Sequence, residues 1–96
     1  MSNPFSAQTE LLALQMLRDA PRGMYGLELV KASDGKFKRG AVYVTLGRLE
    51  EKGYVQSRSR ADADHPHIPR PLYKITALGQ RALAETEFSG WNVAKA

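Results

Sequence analysis

The apolar pattern of this chain changes period once, at Gly53, and that switch limits the folds open to it. From Leu11 to Lys52 apolar residues recur at helical spacing, whereas Tyr54 to Arg60 and Leu72 to Thr76 alternate as strands do. Helical segments, then two short strands, then a last helical segment predict a mainly α chain of the α+β class. With 96 residues there is room for one domain and no separate catalytic or sensor domain. A domain of this size buries only roughly 60–65% of the surface its unfolded chain exposes, so its core is thin. The apolar share of 43% is near the globular average and argues against disorder.

Composition removes several function classes. There is no cysteine, which excludes disulfides, thiolate metal sites and cysteine nucleophiles together. No apolar run approaches ~18 residues, so a membrane span is not expected. Met1 to Gln8 lacks the basic and apolar regions of a signal peptide, and a cytoplasmic location is the expectation.

The first helix begins after Ser6 or Thr9 and carries Leu11, Leu12, Ala13, Leu14, Met16 and Leu17. Leu12, Met16, Ala13, Leu17 and Leu14 sweep an arc of about 200° on the wheel, wider than the stripe of an ordinary surface helix. A wide arc in a short chain points to burial on two sides, one of them a second copy with Leu12 and Met16 at that contact, beside the plainer reading of a single apolar helix in a small core. After the breaker Pro21-Arg22-Gly23, a second helix is predicted from Met24 to Ser33, closed by Asp34 and Gly35. A third, from Arg39 to Lys52, sets Val42, Leu46 and Leu49 within about 60° toward a core. Its opposite face presents Gly40, Val44, Gly47, Arg48 and Glu51, with Tyr43 on the flank.

Net charge is +4, unevenly held. Met1 to Gly35 has three cations against four acids, net −1, and Ala61 to Ala96 balances four against four. Lys36 to Arg60 has seven cations against two acids, net +5. Concentrated positive charge on a small domain points to a polyanion, nucleic acid first, beside the plainer reading of a solvated basic surface. The start of the third helix favours the former over an idle basic turn. Lys36, Lys38 and Arg39 crowd an N-terminus where the macrodipole disfavours cations, and Lys38 is a poor N-cap. A phosphate there would meet free backbone N–H groups and three cationic side chains. Glycines at 40 and 47 cost about 1 kcal/mol each in a helix, fill no core need, and would let the backbone approach another surface. Val44 between them could touch a thymine methyl group.

Beyond Gly53, Tyr73 and Ile75 fall on one strand face, with Leu72 and Lys74 on the other. The connection from Ala61 to Pro71 holds three prolines and is predicted as a hairpin tip. Thr76 then caps a last helix reaching roughly Glu87, with Leu78, Ala82 and Leu83 apolar and Phe88 and Trp91 following at helical spacing. Asp62, Asp64, His65 and His67 are the only group resembling a metal site. Lying in a proline-rich hairpin without cysteine, they read better as solvated tip residues, and no metal or cofactor is expected. They also lack a nucleophile or pocket, so catalysis is not expected.

Three helices followed by a hairpin is the order of a winged helix-turn-helix. The run from Tyr25 to Leu83 resembles the PadR family of transcriptional regulators. The matching residues are Tyr25-Gly26-Leu27-Glu28-Leu29, Gly40-Ala41-Val42-Tyr43, Leu46, Arg48-Leu49-Glu50-Glu51, Gly53 and Val55, then Arg70-Pro71-Leu72-Tyr73-Lys74-Ile75-Thr76 and Gly79. The family often has Ser-Pro where this chain has Lys38-Arg39, and Pro where it has Val44. The resemblance implies a homodimeric repressor bound to double-stranded DNA. Residues 1–76 would be the DNA-binding winged helix, and 77–96 a C-terminal helix that dimerises against the partner's first helix. Candidate DNA contacts are Lys36, Lys38, Arg39, Gly40, Tyr43, Val44 and Arg48, with Arg58, Arg60 and Arg70 on the wing. Candidate dimer contacts are Leu12, Met16, Leu83, Phe88 and Trp91, and Trp91 is also a candidate site for a small aromatic effector. A second reading makes the domain a winged-helix protein-interaction module whose basic face docks an acidic partner.

Overall fold

Residues 8–62 and 65–88 are described by a computed structural model. Helix α1 (Gln8–Arg18) is followed by strand β1 (Met24–Tyr25), then by α2 (Gly26–Ala32) and α3 (Arg39–Glu51). Strands β2 (Val55–Asp62) and β3 (His65–Ile75) come next, and α4 (Ala77–Phe88) closes the described chain. The wide apolar arc of α1 divides in two. Leu11, Ala13, Leu14 and Leu17 lose all exposure to the chain's own core, while Leu12 and Met16 stay half-buried at its margin. Val42, Leu46 and Leu49 of α3 are fully buried as their spacing predicts, with Leu29, Phe37, Val55, Tyr73, Ala82 and Leu83 around them.

A charged pair crosses the edge of this core. Glu10, only 1% exposed, accepts a hydrogen bond from Lys52 Nζ at 2.7 Å, tying the start of α1 to the residue that follows α3. At the other end of α1, Glu87 of α4 accepts from Gln15 at 3.1 Å and from Arg18 at 2.6 Å. Helices α1 and α4 therefore pack against each other within the chain. Leu83 belongs to the chain's own core, whereas Phe88 is 94% exposed.

Two sequence expectations are corrected. Met24 and Tyr25 are strand, not the first turn of the second helix, because they pair antiparallel with Tyr73 and Leu72. The sheet thus has three strands, ordered β1-β3-β2, and α2 is limited to seven residues. The stretch expected as a hairpin tip is also largely strand. Backbone pairing continues through Ser59↔Pro71, Arg60↔Arg70 and Ala61↔Pro69, with a register shift at Ala61/Asp62. Prolines are tolerated in a strand where the missing N–H faces an open edge. Among the described pairings, β1 reaches only Leu72 and Tyr73, so the earlier part of β3 has β2 alone beside it.

The turn at Gly53 (φ +81°) ends α3 and starts the sheet. Thr76 closes the same junction from the far side of the hairpin. Its N–H donates to the Tyr54 carbonyl at 3.0 Å, and its hydroxyl donates to the Gly53 carbonyl at 2.6 Å. The same hydroxyl accepts from Gly79 N–H at 3.0 Å, which makes Thr76 the expected N-cap of α4. Helices and hairpin in this order form a winged helix-turn-helix. Thr76→Ala removes the cap and the Gly53 contact together, and should lower the unfolding free energy by about 1–2 kcal/mol in urea denaturation.

Candidate nucleic-acid interface

The turn between α2 and α3 aims the third helix. Ser33 Oγ donates to the Val30 carbonyl at 2.8 Å and accepts the Phe37 N–H at 3.0 Å. Asp34 and Gly35 then reverse the chain at positive φ, 56° and 88°. Phe37 is buried as the plug of this turn, which leaves Lys36, Lys38 and Arg39 exposed around it. Lys38 is the N-cap residue of α3 and makes no side-chain capping bond, and the first turn holds no acid. The free N–H groups of that turn and three cations thus share one exposed corner.

Along the outer face of α3, Gly40, Arg48 and Glu51 are exposed and Gly47 is half-buried. Val44 is 56% exposed. A Cβ added at Gly40 or Gly47 would meet nothing within 4 Å, so packing inside the chain does not explain either glycine. Tyr43, 44% exposed, has a structural duty as well. Its ring lies so close to Gly26 at the start of α2 that a Cβ there would stand 2.6 Å from Cε1. One edge of the ring is fixed by the helix-turn-helix packing and the other faces out.

The wing cations fall on a different surface. Ser57 donates to Glu50 of α3 at 2.7 Å, and Val55 and Tyr73 are buried, so these residues mark the inner face of the sheet. Burial pushes the Tyr73 phenol pKa up, and the Glu50 carboxylate and Tyr43 raise it further, so the phenol stays neutral. Successive strand residues point to opposite faces, which puts Arg58, Arg70 and Lys74 on the outer face. The structure therefore gathers Lys36, Lys38, Arg39, Gly40, Tyr43, Val44 and Arg48 on one helix and its entry turn, and sets Arg58 and Arg70 apart from them. The side chain of Arg60 lies outside the described residues, as do those of Asp62, Asp64, His65 and His67, and so does Trp91. Sequence reasoning did not single out Lys74 or Gly26. The alternation that placed Lys74 beside Leu72, away from Tyr73, carried the first signal; the run Tyr25-Gly26-Leu27 that carries the family resemblance included Gly26 without indicating its contact with Tyr43.

No helix among the described residues is long and apolar enough to cross a membrane. A sequence model of the transcriptional regulator PadR-like family matches residues 13–85. A PadR family transcription regulator from Clostridium difficile superposes with a TM-score of 0.72 at 24% identity, over 93% of this chain and 92% of that one. A PadR family transcriptional regulator from Eggerthella lenta superposes with a TM-score of 0.67 at 28% identity, over 85% and 72% respectively. A comparison with curated proteins returned no match.

The contact between Gly26 and Tyr43 makes a direct test of this packing. Gly26→Ala should cost about 1–3 kcal/mol, because the added methyl must displace the Tyr43 ring. Denaturation would measure the loss, and the Tyr43 ring resonances in NMR would report the displacement.

Proposed function

This chain belongs to the PadR-like family of transcriptional regulators, as the match over residues 13–85 shows, and from that premise we propose that it is a sequence-specific DNA-binding repressor acting as a homodimer. One observation carries the reading: the outer face of α3 joins an uncompensated cationic corner to two glycines with open space above them. Lys36, Lys38 and Arg39 would hold a backbone phosphate at the helix N-terminus. Gly40 and Gly47 would let α3 sit deep in the major groove, bringing Val44 to a thymine methyl and Tyr43 and Arg48 to base edges or phosphates. Arg58, Arg60 and Arg70 of the wing would touch the flanking backbone or the minor groove. Residues 1–76 would supply this reader, and 77–96 the dimer contact. The half-buried Leu12 and Met16 and the bare ring of Phe88 support that second part. Leu83 would support the contact from within the protomer core.

Duplex DNA selected from a randomised pool tests the mechanism. Affinity should fall linearly on logarithmic axes as salt rises. Lys38→Gln, Arg39→Gln and Arg48→Gln together should reduce that slope by about 2–3 and weaken binding at every salt concentration. An unchanged slope, or no sequence enriched from the pool, would sink the proposal.

The glycines give an independent test with opposite signs. Gly40→Ala and Gly47→Ala should each stabilise the fold by roughly 0.5–1 kcal/mol and yet weaken binding to the selected DNA. Variants that gain stability and bind as tightly as the parent would rule out close groove approach at these positions.

A further inference from the structure

On the side of the sheet turned away from α3, Gln56, Arg58, Leu72 and Lys74 surround a groove of about 130 Å³. We propose that this groove is a binding site for a small phosphate dianion, either free phosphate or the head of a short organic monoester.

Register brings the lining together. Gln56 stands opposite Lys74, and Arg58 opposite Leu72. Opposed side chains on one sheet face start about 5 Å apart, and residues two apart along a strand about 7 Å. Arg58 and Lys74 are therefore diagonal neighbours, at roughly 7–8 Å, a spacing that long side chains bridge. Two cations so placed repel each other unless an anion sits between them. Neither takes part in an ion pair among the described residues. The described side chains on their face, Gln56, Arg58, Arg70, Leu72 and Lys74, include no carboxylate.

The groove is also held in shape. The chain crosses beside it at Gly23, so closely that a Cβ would lie 3.0 Å from the Cγ atoms of both Leu72 and Lys74. That backbone wall restricts the Lys74 stem before any ligand arrives, which lowers the entropy lost on binding. The charge count selects the ligand. A phosphate monoester has its second pKa near 6, so at neutral pH it carries close to two negative charges. A guanidinium and an ammonium match that charge, and the Gln56 amide adds a neutral donor. Leu72 is flanked on its other side by Tyr25 of β1, giving an apolar margin on which a short organic body would rest. The space is small beside the 300–1,000 Å³ or so of ordinary ligand pockets, which favours a single phosphate group over a larger molecule.

The site is tested without DNA, by NMR titration of the full chain at constant ionic strength with inorganic phosphate and, separately, glycerol phosphate. Saturable shifts centred on the Gln56, Arg58, Leu72 and Lys74 amides are expected. Arg58→Gln or Lys74→Gln should each weaken binding about tenfold, while Lys38→Gln with Arg39→Gln should leave it unchanged. Tighter binding of glycerol phosphate would assign the site to organic monoesters, and equal binding to free phosphate. The proposal is overturned if the shifts fail to saturate, centre on Lys36 to Arg39, persist in both groove variants, or appear only with duplex DNA.

Discussion

A single threonine hydroxyl holds three parts of this fold in register. Thr76 donates to the carbonyl of Gly53, where α3 has just ended, and accepts from Gly79, where α4 has just begun. Its backbone N–H meanwhile closes the base of the hairpin on Tyr54. On the α3 side, the Gly53 and Tyr54 N–H groups donate back to the Glu50 and Leu49 carbonyls at 3.0 and 2.9 Å. The direction in which the wing leaves the helices is thus set by short bonds among a few residues. These bonds act beside the core, in which Val55 and Tyr73 of the sheet pack with the helix leucines.

The division of labour on α3 follows from that arrangement. Val42, Leu46 and Leu49 are used up by the core, and Glu50 reaches the sheet through Ser57. What is left is a face with nothing of its own to pack against, and glycines stand on it although alanine would make a better helix. Local stability has been given up where the fold gains nothing in return, which is how surfaces selected for an outside partner differ from surfaces selected for folding. Tyr43 shows the two demands meeting in one side chain, since Gly26 must lack a Cβ for the ring to lie where it does.

Helix periodicity made most of this legible from the amino-acid order. The buried set of α3, the Asp34-Gly35 stop, the Thr76 cap and the two faces of the last strand all follow from spacing and from residue types with narrow backbone preferences. Met24-Tyr25 was misread because a two-residue strand has no period of its own. Only pairing with Leu72 and Tyr73, nearly fifty positions later, makes it a strand. The proline-rich stretch was misread for a related reason. Proline marks a loop when judged locally, but its missing N–H matters only on an edge where a partner waits. The Glu10–Lys52 pair was invisible for the same cause, because nothing in either residue's neighbourhood announces a contact across the core.

That non-local pairing also changes what the charge pattern means. Along the chain, Lys36 to Arg60 is one basic window, and one polyanion would suffice to explain it. In three dimensions the window is cut by the sheet. Lys36, Lys38, Arg39 and Arg48 belong to α3 and its entry turn, whereas Arg58 is on the outer sheet face with Arg70 and Lys74 from the formally neutral remainder of the chain. Charges on opposite sides of a packed sheet cannot neutralise the same phosphate, since contact electrostatics in water fades within about 8–10 Å. Two cationic surfaces on so small a body therefore require either one ligand long enough to wrap around it or two ligands of different size. The outer groove is bounded by Gly23 and has room for a single phosphate, so the small anion proposed for it is distinct from any phosphate held at the start of α3.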